Sequence, residues 1–199
     1  MASNDLVLAG LMHDLNNVFQ TVGHAADLLS TDPNWKDTSD ALLGCVERGR
    51  SIVESIAEES GPVDLADIVH TAARFTGIRN VTVELPAEGI RFDGKRFALQ
   101  RVFANLFANS VRAATGACEI RVTAVSSDEH AVIEVADNGP GIPENMIERI
   151  FQPGFSTTAS TGLGLHIVHV IVQGHNGSVT AANRNGAVFT IRIPRRTSK

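Results

Sequence analysis

The sequence predicts an α+β protein in two parts, a helical hairpin over residues 1–60 and a mixed α/β domain over residues 61–199. Three observations predict it. Before Pro62, apolar residues recur at alternating spacings of three and four, the period of a helix with one buried stripe. After Pro62, short alternating strands are interleaved with amphipathic helices. The strongest breakers, Asp32-Pro33, Gly61-Pro62 and Asn185-Gly186, fall between these segments and not within them.

The first stripe runs Leu8, Leu11, Leu15, Val18, Val22, Ala25, Leu29. It is an a/d pattern sustained for about three heptads. Ser30 to Asn34 is a tight turn. A second stripe follows at Leu42, Cys45/Val46, Gly49, Ile52/Val53 and Ile56, and Gly61-Pro62 ends it. Two such helices form an antiparallel hairpin. A lone hairpin cannot bury both stripes, so the expectation is a homodimer in which two hairpins make a four-helix bundle.

Beyond Pro62 the pattern predicts a helix over 64–75, strands over 81–85 and 90–92, and a long helix over 95–114. Strands are expected over 119–125 and 131–136, and a short helix over 144–151. A loop rich in Ser, Thr and Gly spans 152–161, and a helix covers 163–173. Two strands, 178–182 and 187–193, are split by the Asn185-Gly186 turn. Helices on one face of a largely antiparallel sheet would satisfy this order.

Composition narrows the function. The net charge is −5 over 199 residues, and this weak acidity argues against nucleic acid as the main partner. Cys45 and Cys118 have no metal-ligand spacing and read as buried, reduced thiols. No apolar run approaches the roughly 18 residues of a membrane span, and no leader-like stretch follows a basic start. The expectation is a cytoplasmic protein with no membrane span in this chain.

Several residues point to chemistry. His13 lies opposite the apolar stripe, with Asn17, Gln20 and His24 along the same line. Eleven steps of about 100° bring position 24 to within about 20° of position 13. A histidine that another domain must reach belongs on such a face, and Asp14 could take the proton of an attacking imidazole. Asn17, one turn on, carries a donor and an acceptor suited to orienting a water. The same pattern also describes an ordinary solvated helix face. Asp137-Asn138-Gly139-Pro140-Gly141 follows a strand. A carboxylate there can accept a hydrogen bond from the exocyclic amine of adenine and would reject guanine, with Gly139 and Gly141 letting backbone come close. A plain turn suits this string equally. Gly162-Leu163-Gly164-Leu165 opens a helix whose free amides attract phosphate, although a capping turn would look alike. Asn105 and Asn109 share a helix face at i and i+4. Their amide oxygens are hard ligands suited to Mg2+, and Arg112 could meet a phosphate.

The order of these segments carries a resemblance. Leu11 to Asn17, LMHDLNN, resembles the phosphoacceptor box of sensor histidine kinases in its HDxNN variant. Leu99 to Ala113 looks like their asparagine box, and DNGPGI from Asp137 to Ile142 like their first glycine box. Ile150 to Thr158 is similar to their phenylalanine box, and Thr161 to Val168 to their second glycine box. All five stand in family order and cover nearly the whole chain. The resemblance implies a Bergerat-type α/β-sandwich that binds ATP and Mg2+, behind a dimerisation and histidine-phosphotransfer bundle. It implies a protein-histidine kinase whose partner is the receiver domain of a response regulator. Carried over by position, His13 is the phosphoacceptor, Asp14 its acidic neighbour, and Asn17 a phosphatase residue. Asn109 is the Mg2+ ligand with Asn105 beside it, and Asp137 is the adenine contact. Gly139, Gly141, Gly162 and Gly164 shape the pocket, and Arg112, Thr158, Leu163 and Leu165 complete it.

The chain departs from the family pattern in its short lid. Thr157-Thr158-Ala159 stands where relatives often have Thr-Thr-Lys, Ser160 where glycine is common, and Gly154 where an aromatic is common. Other readings are an ATPase of the gyrase or chaperone type, a phosphotransfer relay with a weak ATP domain, or an anti-sigma type serine kinase. The HDLNN hairpin argues against the first and third, and the intact Asp137 and glycine boxes against the second.

Overall fold

The computed structural model describes residues 2–57, 59–127, 129–152, 155 and 164–195. The chain divides into two compact units, Met1–Glu59 and Ser60–Lys199.

The first unit is a hairpin of α1 (Ala2–Leu29) and α2 (Lys36–Ala57) joined through a one-turn 3-10 helix, Pro33–Trp35. Asp32 caps that turn, its carboxylate accepting the Asn34 N–H at 2.9 Å, and Pro33 sits at the first position, where an N–H would have no partner. Ala26 is fully buried, and Ser39 of α2 donates to its carbonyl at 2.7 Å. The Phe19 ring occupies the space that a side chain at Gly49 would need. On α2, Val46 and Val53 are buried, as the second stripe predicts.

On α1 the packing departs from the expected stripe. The face against α2 is built from half-buried Phe19, Gly23 and Leu29 around Ala26. Leu11 and Val18 are each 55% exposed, and Leu15 is exposed too. At about 100° per residue, their line lies roughly a quarter turn from Phe19 and Gly23. The apolar surface of α1 is wider than one seam, and part of it faces away from α2.

In the second unit, β1 (Gly61–Asp64) pairs antiparallel with β3 (Arg91–Gly94). The Gly61-Pro62 pair, read as a breaker, therefore sits inside a strand. A two-stranded ribbon tolerates a missing N–H on its open edge. Asp64 then caps α3 (Leu65–Thr76), which buries Leu65, Ile68, Val69 and Ala72 and stops at Gly77 in the left-handed conformation. A five-stranded sheet has the order β2-β4-β5-β7-β6, from Val81–Glu84, Ile120–Ser126, His130–Asp137, Ala187–Pro194 and Ser178–Asn183. Only β2–β4 is parallel, because α4 (Arg96–Ala113) lies between those strands as a crossover.

α4 runs between α3 and α5 (Gly164–Gly174) and packs against both. It buries Ala98, Leu99, Val102, Phe103, Leu106 and Phe107. The Phe103 and Phe107 rings meet at 6.2 Å with a 48° tilt. Truncating either to alanine should cost about 3–5 kcal/mol. The buried half of β5 alternates strictly along the strand. His175, just past α5, joins the two helices. Its Nε2 accepts the N–H of Lys95 at the start of α4 at 2.9 Å, and its Nδ1 donates to the Ile171 carbonyl at 2.8 Å.

The helix expected over 144–151 is only a 3-10 turn, Glu144–Met146, followed by further turns. Met146 N–H bonds to Pro143 O at 2.8 Å and Arg149 N–H to Met146 O at 2.8 Å, both three residues back. A single α-type bond, from Ile150 N–H to Met146 O, does not propagate.

Candidate active site

The first group of site residues is on α1. His13 is 75% exposed at its side chain, and Asn17, Gln20 and His24 are exposed along the same helix. Asp14 Oδ1 lies 3.5 Å from His13 Nδ1, and Asn17 Nδ2 lies 3.3 Å from the same nitrogen. A carboxylate meets Nδ1 as an N–H donor, whereas an amide NH2 meets it as a lone pair. The two contacts are therefore alternatives, chosen by the imidazole tautomer, and neither uses Nε2.

The second group gathers around Asp137 at the end of β5. Its side chain is held in a cradle of donors and the residue is 8% exposed. Oδ1 accepts the N–H of Gly139 and the N–H of Ala187, both at 3.0 Å. Oδ2 accepts the hydroxyl of Ser110 at 2.8 Å. Gly186, at φ 145°, packs its α-carbon against the Asp137 carbonyl so closely that a side chain would overlap it.

Two asparagines fasten the turn that follows. Asn138 donates to the Ala117 carbonyl at 3.0 Å and accepts the Glu119 N–H at 2.9 Å. Asn183 on β6 accepts the Ile142 N–H at 2.8 Å and donates to the Ile142 carbonyl at 2.7 Å. Gly141, at φ 79°, passes beside Asn183, where a Cβ would stand 2.7 Å from its Oδ1.

The start of α5 faces the second half of α4. A Cβ at Gly164 would lie 3.2 Å from Asn105 Oδ1 and 3.9 Å from an Arg112 amino group. Asn105 spends its NH2 on the Arg101 carbonyl at 2.9 Å, which orients Oδ1 toward Gly164. Asn109 is half-buried one turn further along. Leu165 packs on the core. Thr158, Gly162 and Leu163 lie outside the described residues. Of the expected nucleotide residues, the structure thus brings together Asn105, Arg112 and Gly164 at one place and Asp137, Gly139 and Gly141 at another.

Phe151 is anchored to α5. Its ring lies 5.8 Å from His169 and edge-on to Phe189 at 6.5 Å, and its carbonyl accepts from His166 Nδ1 at 3.0 Å. The Arg149 guanidinium stands 5.1 Å above the Phe155 ring. Cys45 is exposed, contrary to expectation, and Cys118 is half-buried. Burial pushes the Cys118 thiol above its ordinary value, and the nearby charge of Asp137 pushes it further.

Sequence reading missed Ser110, Asn183, Ala187 and Gly186. Asn183 and Ser110 are far from Ile142 and Asp137 in sequence, so only the sheet and helix packing reveals the pairs. Asn185-Gly186 was legible as a turn, but its contact with Asp137 was not. A surface cavity of about 670 Å3 lined by Asp67, His70, Arg74 and Arg79 uses none of the motif residues. Among the described residues no cluster of His, Cys, Asp and Glu could hold a metal, and no helix is long and apolar enough to cross a membrane.

Residues 94–197 match the family described as histidine kinase-, DNA gyrase B-, and HSP90-like ATPase. The chain belongs to this family. It is 32% identical over 166 residues to the probable sensor histidine kinase TcrY of Mycobacterium tuberculosis, covering 77% of this chain and 34% of that protein. It is 39% identical over 186 residues to the signal transduction histidine-protein kinase AfsQ2 of Streptomyces coelicolor, covering 83% and 34%. The chain thus spans about a third of the length of these curated relatives. Among solved structures it resembles the catalytic domain of histidine kinase ThkA, with a TM-score of 0.63 and 30% identity over 69% of this chain and 98% of that one. The ATPase-family unit is accordingly a histidine kinase catalytic, ATP-binding domain.

Proposed function

We propose that the chain autophosphorylates His13 with Mg-ATP and passes the phosphoryl group to an aspartate on a response-regulator receiver domain. The observation that carries this reading is the exposed His13–Asp14–Asn17 group in the same chain as the Asp137 cradle. Asp137 takes the adenine amine. Arg112 and the amides at the start of α5 take the phosphates. Asn109, with Asn105 beside it, would hold Mg2+ through amide oxygen, and the metal would neutralise charge on the leaving diphosphate. The orientation of Asn105 Oδ1 away from its own helix fits that use.

His13 Nε2 attacks the γ-phosphorus. A P–N bond forms, the bond from phosphorus to the bridging oxygen breaks, and ADP leaves. The proton on Nδ1 passes to Asp14, which lies beside that atom. The receiver aspartate then attacks the phosphorus, and the P–N bond breaks. The exposed Leu11, Leu15 and Val18 support a homodimer through α1, and a cytoplasmic setting is consistent with the proposed use of ATP and a receiver. Incubation with γ-labelled ATP tests the reading. Acid-labile, base-stable phosphate on the protein is expected, and stable phosphoserine or free phosphate alone would overturn it.

The contact of Asn17 with His13 favours a second activity on the same face, dephosphorylation of the receiver. The Asn17 amide orients a water for in-line attack on the acyl phosphate. In Asn17→Ala, autophosphorylation should survive while the phosphorylated receiver lives longer in the presence of the kinase and ADP. A lifetime equal to wild type would remove this activity.

A further inference from the structure

The hydrogen-bond inventory of Asp137 assigns its free acceptor to one atom. An ionised carboxylate has about four lone-pair sites, two on each oxygen. Both sites on Oδ1 are filled by the backbone N–H groups of Gly139 and Ala187. One site on Oδ2 is filled by Ser110, whose Oγ lies at 2.8 Å. The open site is therefore the second one on Oδ2, the oxygen that Ser110 holds.

Ser110 has few alternatives. It is 1% exposed, so no bulk water competes for it. Its Oγ also lies 3.2 Å from the Leu106 carbonyl on its own helix. A hydroxyl has a single proton, and the carboxylate is the closer and charged acceptor, so the proton belongs to Asp137. The two backbone donors are fixed by the Gly139 turn and by the β7 strand. Ser110 is thus the side-chain donor of the cradle, and the one that comes from α4.

We infer that Ser110 is a positioning residue for base recognition, which fixes the Asp137 carboxylate so that the open Oδ2 site faces the exocyclic amine of adenine. The inference rests on the reading that Asp137 takes that amine. Without the hydroxyl, Oδ2 loses its fixed direction and gains a second open site. Water or a donor from another base can then use it, and preference for a 6-amino purine weakens.

The test compares ADP with purine riboside 5′-diphosphate, which lacks the 6-amino group, by calorimetry on the full chain. Wild type should prefer ADP by about tenfold or more, the size of one buried hydrogen bond to a charged group. In Ser110→Ala that preference should shrink to about threefold or less, with affinity for the amine-free nucleotide held within about twofold. Ser110→Cys, with a weak S–H donor of similar size, should fall between, and it serves as the readout if the alanine variant does not fold. Equal affinities in wild type would overturn the role of Asp137 itself. A preference that survives intact in both variants, or an equal loss for both nucleotides, would overturn the role of Ser110 alone.

Discussion

Asn183 holds the backbone of Ile142 from both sides, accepting its N–H at 2.8 Å and donating to its carbonyl at 2.7 Å. The pair is forty-one residues apart in sequence. It ties the turn after Asp137 to the end of β6, where Gly141 leaves room for the amide. Asn183→Ala removes both bonds and should lower stability by roughly 1–2 kcal/mol. ADP affinity should fall several-fold, because Gly139 then holds Asp137 less firmly. Urea unfolding and calorimetry read the two effects, and wild-type values in both would show that the clamp does not shape the site.

Asp137→Asn replaces one acceptor oxygen by an NH2 that must face a hydroxyl, a backbone N–H or the adenine amine. At the δ1 position the NH2 meets the N–H groups of Gly139 and Ala187, and at δ2 it presents a donor to the amine of the proposed adenine even if Ser110 turns its proton to the Leu106 carbonyl. ATP affinity should fall at least about tenfold, a loss of about 1.4 kcal/mol. Unchanged affinity with the fold intact would reduce the D-N-G-P-G stretch to a turn.

His13 and His24 share the exposed stripe of α1, but only His13 has a carboxylate at Nδ1. His13→Ala should abolish acid-labile labelling, and His24→Ala should retain most of it. Labelling that persists in His13→Ala would move the phosphoacceptor elsewhere.

The apolar line of Leu11, Leu15 and Val18 gives a fourth expectation. A dimer across this face would bury side chains that are largely exposed in the single hairpin. Leu11→Asp with Val18→Asp places two charges per subunit there and should yield folded monomers, because neither side chain belongs to the Phe19–Ala26 face. Light scattering should give twice the chain mass for wild type at micromolar concentration. A wild-type monomer would refute the dimer.

Cys118 offers a pH dependence whose sign is fixed. Its thiol is held above an ordinary value of 9.0. The reactive thiolate is therefore scarcer at a given pH than in an unperturbed cysteine, and it becomes the major form only at a pH above that value. Alkylation at pH near 8 should be slow at Cys118, and its rate should still climb beyond about pH 9. Asp137→Asn removes the charge and should shift that rise to lower pH. Peptide mapping of iodoacetamide-treated protein decides this, and an unchanged profile in Asp137→Asn would sink it.

Much of this arrangement could be read from residue order, and the reasons for the rest are physical. The long helix over Arg96–Ala113 was plain because its apolar period is sustained for five turns' worth of side chains such as Leu99, Phe103 and Leu106. Periodicity misjudged α1, where Leu11 and Phe19 both sit on apolar lines and only packing selects Phe19. It also overextended Glu144–Phe151, where local bonds of the 3-10 type outcompete an α ladder. Pro62 concealed β1, since edge pairing with Asp93 overrides a local breaker. Asp137 was legible as a candidate from its motif, whereas Ser110 was hidden, because a serine in a helix gives no sign of which distant carboxylate it will meet.

The link between His175 and Lys95 has a mechanical consequence. It pins α5 to α4 at the end remote from Gly164, adding a fixed joint to the packing between the two helices. Eleven residues of α5 make an arm of about 16 Å. A tilt of about 5° at the joint would swing Gly164 by roughly 1.4 Å relative to Asn105, comparable to half a hydrogen-bond length. Leverage of this kind makes the spacing between Gly164 and Asn105 depend on a bond a full helix length away, so a loose fit at His175 is magnified at the start of α5.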